Sequence, residues 1–200
     1  MAVIVKGMNV VPDPWQRLEL NADGSLPAVP PAGDVIVPLV LWRKRRKELL
    51  ARPGRLGVWL EANEDPAAIA EDLRLFGVVA VRFPKVIDGR GYSIAYLLRE
   101  RYGWKGELRA FGDIWRDQLF FLASCGFNAF ALREGEDPRA AVAAFGDFSE
   151  TYQGSVRQPL PLFRRRHPSS HALPSLTPAP LPRGEGRLEI PFSIWEKGMG

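Results

Sequence analysis

Polar residues that could bind a ligand are concentrated in two short stretches of this sequence. The first stretch, 88–93, has the sequence DGRGYS, and the second, 112–118, has the sequence GDIWRDQ. Each follows a run of apolar residues and precedes a helix-like segment. Cationic side chains, hydroxyl groups and the free N–H groups at a helix start are the groups with which proteins bind small anions. The two stretches therefore predict a site for an anion or for a partner protein.

The candidate site residues are charged, carry hydroxyl groups or are glycines that allow tight turns. They are Lys85, Asp88, Arg90, Gly91, Tyr92, Ser93, Arg109, Gly112, Asp113, Arg116 and Asp117. We expect Arg109 and Arg116 to converge with Asp113 on the same mouth as Arg90, because clustered charges at one end of a sheet are often functional. A structural explanation fits the same residues, since the glycines can serve turns and Asp113 can cap a helix. The sequence leaves both explanations open.

A repeated order of strand and helix positions these residues. Five apolar runs, each followed by a helix-like segment, lie at 35–39, 56–60, 78–83, 107–111 and 127–132. This rhythm predicts an α/β fold of about five parallel strand–helix units with right-handed crossovers. The pattern does not decide between an open sheet and one curled like half a (βα)8 barrel, but the immediate succession of strand and helix favours the curled form. In both forms the two polar stretches lie at the carboxyl ends of strands, where such sheets bind ligands.

Both ends of the chain depart from this rhythm. Residues 1–20 alternate in polarity around a Lys6-Gly7 turn signal, which is typical of a β-hairpin or an edge segment. Residues 159–200 hold eight prolines and a run of three arginines without amphipathic periodicity, which is typical of disorder. We expect one α/β domain over 1–155 and a disordered, low-complexity tail over 156–200.

The distribution of charge argues against nucleic acid as a partner. The net charge is +4, but seven of the 27 basic and three of the 23 acidic residues lie in 151–200, which leaves 20 of each in 1–150. A surface that binds nucleic acid needs its positive charge on the folded domain. We therefore expect no nucleic-acid partner.

Several cofactor chemistries have no motif in this sequence. The single cysteine, Cys125, cannot form an internal disulfide or a cysteine-ligated zinc or iron–sulfur centre, and both histidines, His167 and His171, lie in the tail. No haem-ligating histidine is present in the body, and neither GxGxxG nor GxxxxGK[ST] occurs. The cofactor, if the protein uses one, is left open by the sequence.

The hydropathy of the chain gives no sign of a membrane partner. The first residues lack the basic-then-apolar order of a signal peptide, and no apolar run approaches the ~20 residues of a membrane span. These features predict a soluble, cytoplasmic protein.

Four segments of the sequence resemble the bacterial family called domain of unknown function 934. They are FPKVIDGRGYS at 83–93, LLRERYGWKGELRAFGDIWRDQL at 97–119, CGFNAFAL at 125–132 and DFSETYQ at 147–153. The resemblance covers about residues 1–155. Members are described as oxidoreductases involved in sulfite reduction, encoded beside an assimilatory sulfite or nitrite reductase. The resemblance implies a role in sulfate assimilation and cysteine biosynthesis, with sulfite reductase or its electron donor as the partner.

Two functional hypotheses follow from the residues and the resemblance together. The first is an accessory protein that supports electron delivery to sulfite reductase. The second is a small oxidoreductase, or an enzyme that binds an anion or a flavin phosphate, in the same pathway. The body lacks histidine, clustered cysteines and a dinucleotide fingerprint, so an oxidoreductase of this sequence would need a cofactor held by other means or a partner that carries it.

Overall fold

One mixed sheet of eight strands is the centre of the fold in the computed structural model, which describes residues 2–147 and 150–166. The strands are β1 (Val3–Lys6), β2 (Asn9–Pro12), β3 (Gln16–Arg17), β4 (Val35–Pro38), β5 (Leu56–Leu60), β6 (Val78–Phe83), β7 (Glu107–Gly112) and β8 (Ala129–Ala131). Their order across the sheet is β2-β1-β8-β7-β6-β5-β4-β3. Neighbours from β3 to β8 pair in parallel, whereas β1 pairs antiparallel with both β8 and β2. The α/β class is confirmed, and β1 and β2 form an N-terminal hairpin.

Helical segments follow the strands along the chain. The α-helices are α1 (Leu39–Ala51), α2 (Arg90–Tyr96), α3 (Leu119–Ser124), α4 (Pro138–Ala143) and α5 (Leu162–Arg166). Narrower 3-10 helices span Pro66–Leu75, Arg116–Gln118 and Ala144–Gly146, and a π-helical turn at Leu97–Arg101 continues α2. The Asp-Pro pairs mark helix starts as expected, because Asp65 accepts a hydrogen bond from the Ala67 N–H at 2.9 Å and Asp137 caps α4 in the same way.

A very short connection between the two edges of the sheet forces it to curl. Only residues 13–15 join β2 to β3, although these strands lie at opposite edges. A flat sheet of this size would hold its edges about 33 Å apart, whereas the chain from Pro12 to Gln16 spans at most about 14 Å. The guanidinium carbon of Arg17 accordingly lies 4.3 Å from the ring centroid of Phe111, four strands away. The curled, half-barrel form is therefore confirmed.

The strands are apolar on both faces because each face is covered. On β6, Val79, Val81 and Phe83 point toward the helices, and Val78 and Ala80 point to the inner face of the curl. The buried apolar side chains of the inner face belong to Trp15, Ile36, Trp59, Val78, Ala80 and Phe111. Burial on both faces explains why the strands read as continuous apolar runs in the sequence.

A buried ion pair holds the short connection against the inner face. The guanidinium of Arg109, a side chain that is 3% exposed, donates to Asp13 at 2.8 Å and to Glu107 at 2.7 Å. Lys6 donates to the other Glu107 oxygen at 2.8 Å. Burial raises the pKa of Glu107, but the hydrogen bond from Lys6 and the charge of Arg109 outweigh burial and lower the pKa below its ordinary value. Asp13 belongs to the connection itself, so this network ties the connection to β7 and, through Lys6, to β1.

Val156, in the last part of the described chain, contacts the end of α3. The N–H of Val156 donates to the carbonyl of Ser124 at 3.1 Å. Residues 156–166 of the predicted tail are thus described and include α5, whereas residues 167–200 lie outside the described part, where disorder stays a prediction. Over the residues described, no helix combines the length and the apolar character that crossing a membrane requires.

Replacing Arg109 by methionine should destabilise the protein strongly. The substitution keeps the length of the side chain but leaves the carboxylate of Asp13 without its buried partner, which is expected to lower the free energy of unfolding by about 3 to 5 kcal/mol. Urea denaturation measures this loss. Arg46→Met is the control, because the pair of Arg46 with Asp72 is half exposed and should contribute less than about 1 kcal/mol. Equal losses in the two variants would contradict the role assigned to Arg109.

Candidate functional site

The two polar stretches lie side by side at the carboxyl ends of β6 and β7. These strands pair in parallel with Phe83 opposite Gly112, and the N–H of Asp113 donates to the carbonyl of Phe83 at 2.8 Å. Residues 84–89 connect β6 to α2, and residues 113–115 connect β7 to the 3-10 helix that precedes α3. The shared register therefore places the two loops next to each other.

Two of the candidate glycines are required by close packing against Phe83. Gly112 has a φ of +110°, and a Cβ at this position would lie 2.3 Å from the carbonyl oxygen of Phe83. A Cβ on Gly91 would lie 2.5 Å from the ring of Phe83. Both glycines thus allow the close approach of Phe83.

Asp113 holds the two loops together and does not cap a helix. One carboxylate oxygen accepts a hydrogen bond from the N–H of Val86 at 3.1 Å, and the other accepts one from the indole N–H of Trp115 at 3.0 Å. The guanidinium of Arg133 lies 3.6 Å from the same carboxylate. The expectation of a helix cap was wrong because the helix begins later, at Arg116, and Asp113 faces the neighbouring loop instead.

Gln118 connects both loops and is a residue that the candidate set missed. Its amide nitrogen donates to the carbonyl of Val86 at 3.2 Å and to the hydroxyl of Tyr92 at 3.3 Å. Its amide oxygen accepts from the N–H of Trp115 at 3.0 Å. We call Asp113, Gln118 and the three residues that they hold, Val86, Tyr92 and Trp115, the loop frame. The motif GDIWRDQ contains Gln118, but nothing in the motif shows that its side chain reaches across to the first loop.

The carboxylate of Asp88 binds the groups of Arg90 that the sequence predicted would bind an anion from outside the chain. Its carboxylate accepts hydrogen bonds from the backbone N–H of Arg90 at 3.2 Å and from the Arg90 guanidinium at 3.0 and 2.7 Å. The guanidinium, and secondly the backbone N–H, lower the pKa of Asp88 from 3.8 to about 2. The backbone N–H of Arg90, at the start of α2, is therefore already bound by a carboxylate of the chain itself.

The remaining candidates do not converge on one point. Arg109 lies buried on the inner face with Asp13 and Glu107, so it does not reach the mouth that contains Arg90. The side chains of Lys85, Arg116 and Asp117 are exposed, and the carboxylate of Asp147 lies 4.0 Å from the Arg116 guanidinium. Ser93 and Arg90 line a separate open cavity of about 590 Å³ together with Arg101 and Glu64.

Apolar side chains project into solvent around the loop frame. Ile87 is 86% exposed and Phe121 is 57% exposed, and Val86 and Trp115 are exposed to a lesser degree. The Phe121 ring packs 4.9 Å from that of Tyr92, and the guanidinium carbon of Arg133 lies 4.1 Å over the Trp115 ring. We call Val86, Ile87, Trp115 and Phe121 the apolar face. An apolar residue such as Ile87 in a polar loop is the signal that the sequence offered for this face.

The described residues offer little for metal or thiolate chemistry. Within 2–147 and 150–166, no group of three or more histidine, cysteine, aspartate or glutamate side chains is placed to hold a metal ion. Burial raises the pKa of the Cys125 thiol above its ordinary value, so this thiol stays protonated at neutral pH.

Substituting Gly112 by alanine should destabilise the loops, and the same change at Gly89 should not. An alanine at 112 would combine the strained φ with the contact to the Phe83 carbonyl, at a cost of about 2 to 3 kcal/mol or more in the free energy of unfolding. Gly89 has a φ of −77° and open space around its Cβ position, so its substitution should change stability by less than about 0.5 kcal/mol. Chemical denaturation of both variants checks the difference. Tolerance of Gly112→Ala would show that the two strands need not approach so closely.

One comparison with known proteins finds a family that the chain matches. The family model described as "Bacterial protein of unknown function (DUF934)" matches residues 57–163, which include both loops and the whole loop frame. Neither the curated proteins nor the solved structures contain a match to the chain.

Proposed function

Because the chain belongs to the bacterial DUF934 family, whose description assigns no function, we propose a role that combines its loop surface with the implied link to sulfite reduction. In this proposal the protein is a cytoplasmic accessory factor of assimilatory sulfite reduction in cysteine biosynthesis. It docks on sulfite reductase, or on the protein that donates electrons to the reductase, through the apolar face.

The observation that carries this proposal is the exposure of apolar side chains on a hydrogen-bonded frame. Ile87 is almost fully exposed in the first loop, and the exposed ring of Phe121 packs against that of Tyr92, a residue of the loop frame. Aliphatic and aromatic side chains that remain exposed on a surface commonly mark a protein interface. The frame fixes their positions, so little conformational freedom is lost when a partner binds.

The pairing of the polar groups supports docking over unaided catalysis. Asp113 and Gln118 direct their hydrogen bonds to the loops themselves, and Asp88 is bound by Arg90. A general acid, a base or a nucleophile needs a group that is free to meet the substrate. The loops instead use their polar groups to hold an apolar surface in place.

Complementation of a deletion strain tests both parts of this proposal. A strain that lacks the gene should grow with cysteine but poorly with sulfate as the sulfur source, and the wild-type gene should restore growth on sulfate. Ile87→Ser should fail to restore growth and should weaken co-purification with the reductase or its donor at least about tenfold. The side chain of Ile87 is so exposed that its loss should leave stability unchanged.

Leu50→Ser is the matched control, since Leu50 is an aliphatic residue that is 46% exposed on α1, outside the two loops. It should restore growth as well as the wild type does. Equal growth of the deletion strain on sulfate and on cysteine would refute the pathway assignment. Full activity of Ile87→Ser would refute docking through this face and leave the pathway assignment standing.

An enzyme of the same pathway is the second candidate function, and the cavity beside α2 favours it. This cavity of about 590 Å³ lies between α2 and residues 62–67, and it presents the cations Arg90 and Arg101 and the hydroxyl of Ser93. Burial raises the pKa of the Glu64 carboxyl, so this group could hold a proton nearer to neutral pH than an ordinary glutamate. The cavity would take an anion or the phosphate of a flavin.

Arg90→Ala distinguishes this second function from docking. If the cavity binds an anion, the purified wild-type protein should show flavin absorbance, or affinity for sulfite or a nucleotide in calorimetry, and the variant should lose it. Absence of binding in the wild type would remove this candidate. Arg116→Ala serves as the control, because Arg116 is an exposed arginine that does not line the cavity.

A further inference from the structure

Two arginines rest on one buried aromatic pair at the inner face of the curled sheet. The guanidinium carbon of Arg17 lies 4.3 Å from the ring centroid of Phe111, and that of Arg82 lies 5.9 Å from the ring centroid of Trp59. The rings of Phe111 and Trp59 pack edge to face with centroids 5.7 Å apart. We call Arg17 and Arg82 the arginine pair. Neither arginine belongs to the loop frame or to the apolar face.

The arginine pair lies at the end of the sheet where parallel strands bind ligands. Arg17 is the last residue of β3, and Arg82 is the residue before the last of β6. Arg82 is also paired in register with Phe111 on β7. The carboxyl ends of parallel strands are the usual ligand-binding end of α/β sheets.

The guanidinium groups have more donors than the surrounding protein uses. Each guanidinium carries five N–H donors. Among the described residues, Arg17 donates to Glu19 at 2.7 Å through Nε, and Arg82 donates to Glu61 at 3.0 Å through one terminal nitrogen. Arg109, in contrast, uses all three of its nitrogens. The arginine pair therefore keeps most of its donors for another acceptor.

Both carboxylate partners can be exchanged at little cost. The side chains of Glu19 and Glu61 are 44% and 35% exposed, and those of Arg17 and Arg82 are 39% and 41% exposed. An ion pair with this exposure contributes about 0 to 1 kcal/mol. The cation–π contacts of the guanidinium groups with Phe111 and Trp59 do not depend on the glutamates.

We propose that the arginine pair binds a tetrahedral oxyanion, either free phosphate or the phosphate group of a larger ligand. The oxygen atoms of the ligand replace the carboxylates of Glu19 and Glu61 as acceptors. Guanidinium groups suit this chemistry because their planar fork donates two parallel hydrogen bonds to phosphate oxygens. The glutamates act as competing internal anions, so they keep the arginines paired while no ligand is bound.

Calorimetric titration with inorganic phosphate tests the proposal at constant ionic strength, set with sodium chloride. The wild-type protein should bind phosphate. The double variant Arg17→Gln/Arg82→Gln should bind it at least about tenfold more weakly, because charge-assisted hydrogen bonds are lost. The double variant Glu19→Gln/Glu61→Gln should bind it more tightly, because the competing charges are removed. A purely structural role of the four residues predicts no gain from the glutamate substitutions.

Arg46→Gln is the matched control. Arg46 also stacks on a tryptophan, with its guanidinium carbon 5.3 Å from the Trp42 ring, and it also pairs with a carboxylate, that of Asp72 at 2.7 Å. Its location on α1 places it outside the proposed site, so its substitution should leave phosphate affinity unchanged. Circular dichroism verifies the fold of each variant. If the glutamine variant does not fold, Arg17→Lys/Arg82→Lys keeps the charge, lacks the planar fork and should also weaken binding.

A titration with adenosine 5′-monophosphate identifies the source of the anion. Tighter binding than that of inorganic phosphate assigns the site to the phosphate of a larger ligand, and equal binding assigns it to the free ion. The proposal is overturned if the wild-type protein binds phosphate no better than chloride, or if the arginine variants bind it as well as the wild type does.

Discussion

The three residues between β2 and β3 constrain everything else in this structure. They join opposite edges of an eight-stranded sheet, so the sheet has to curl. Curling encloses the inner face, and enclosure demands apolar side chains there and a partner for every buried charge. Arg109 meets this demand by pairing with Glu107 from its own strand and with Asp13 from the connection. The indole N–H of Trp59 adds a hydrogen bond to the carbonyl of Leu18 at 2.9 Å, which binds β5 to the chain just beyond β3.

At the rim of the curled sheet, polar side chains connect loops instead of pairing with one another in the interior. This rim lies at the ends of β6 and β7. Asp113 and Gln118 accept and donate hydrogen bonds between the two loops, and their geometry leaves apolar side chains facing water. Exposed apolar groups on a fixed frame lose little entropy on association. The proposed docking role and the proposed anion site thus use different residues of one sheet, those of the two loops and the arginine pair of the inner face.

Much of the fold could be predicted because burial on both faces makes the parallel strands visible as apolar runs. The Asp-Pro signals also located helix starts at Asp65 and Asp137, although the first of these helices is a 3-10 helix, which capping residues do not reveal. The site was harder, because its contacts are between side chains far apart in sequence. The alternation of residues along β7 places the side chain of Arg109 on the opposite face of the sheet from that of Leu108. Only the curl of the sheet shows that the face of Arg109 is closed to solvent. In the same way, no local pattern brings Arg17 to Phe111 or Gln118 to Tyr92.

The pairing of β1 with β8 has a consequence for the order in which the chain can fold. Val5 lies opposite Phe130, so the first strand, which pairs early with β2, finds its second neighbour only after most of the described domain has been synthesised. Contacts between such distant residues are slow to form, because the intervening chain must be ordered first. We therefore expect the pairing of β1 with β8 to form late in folding.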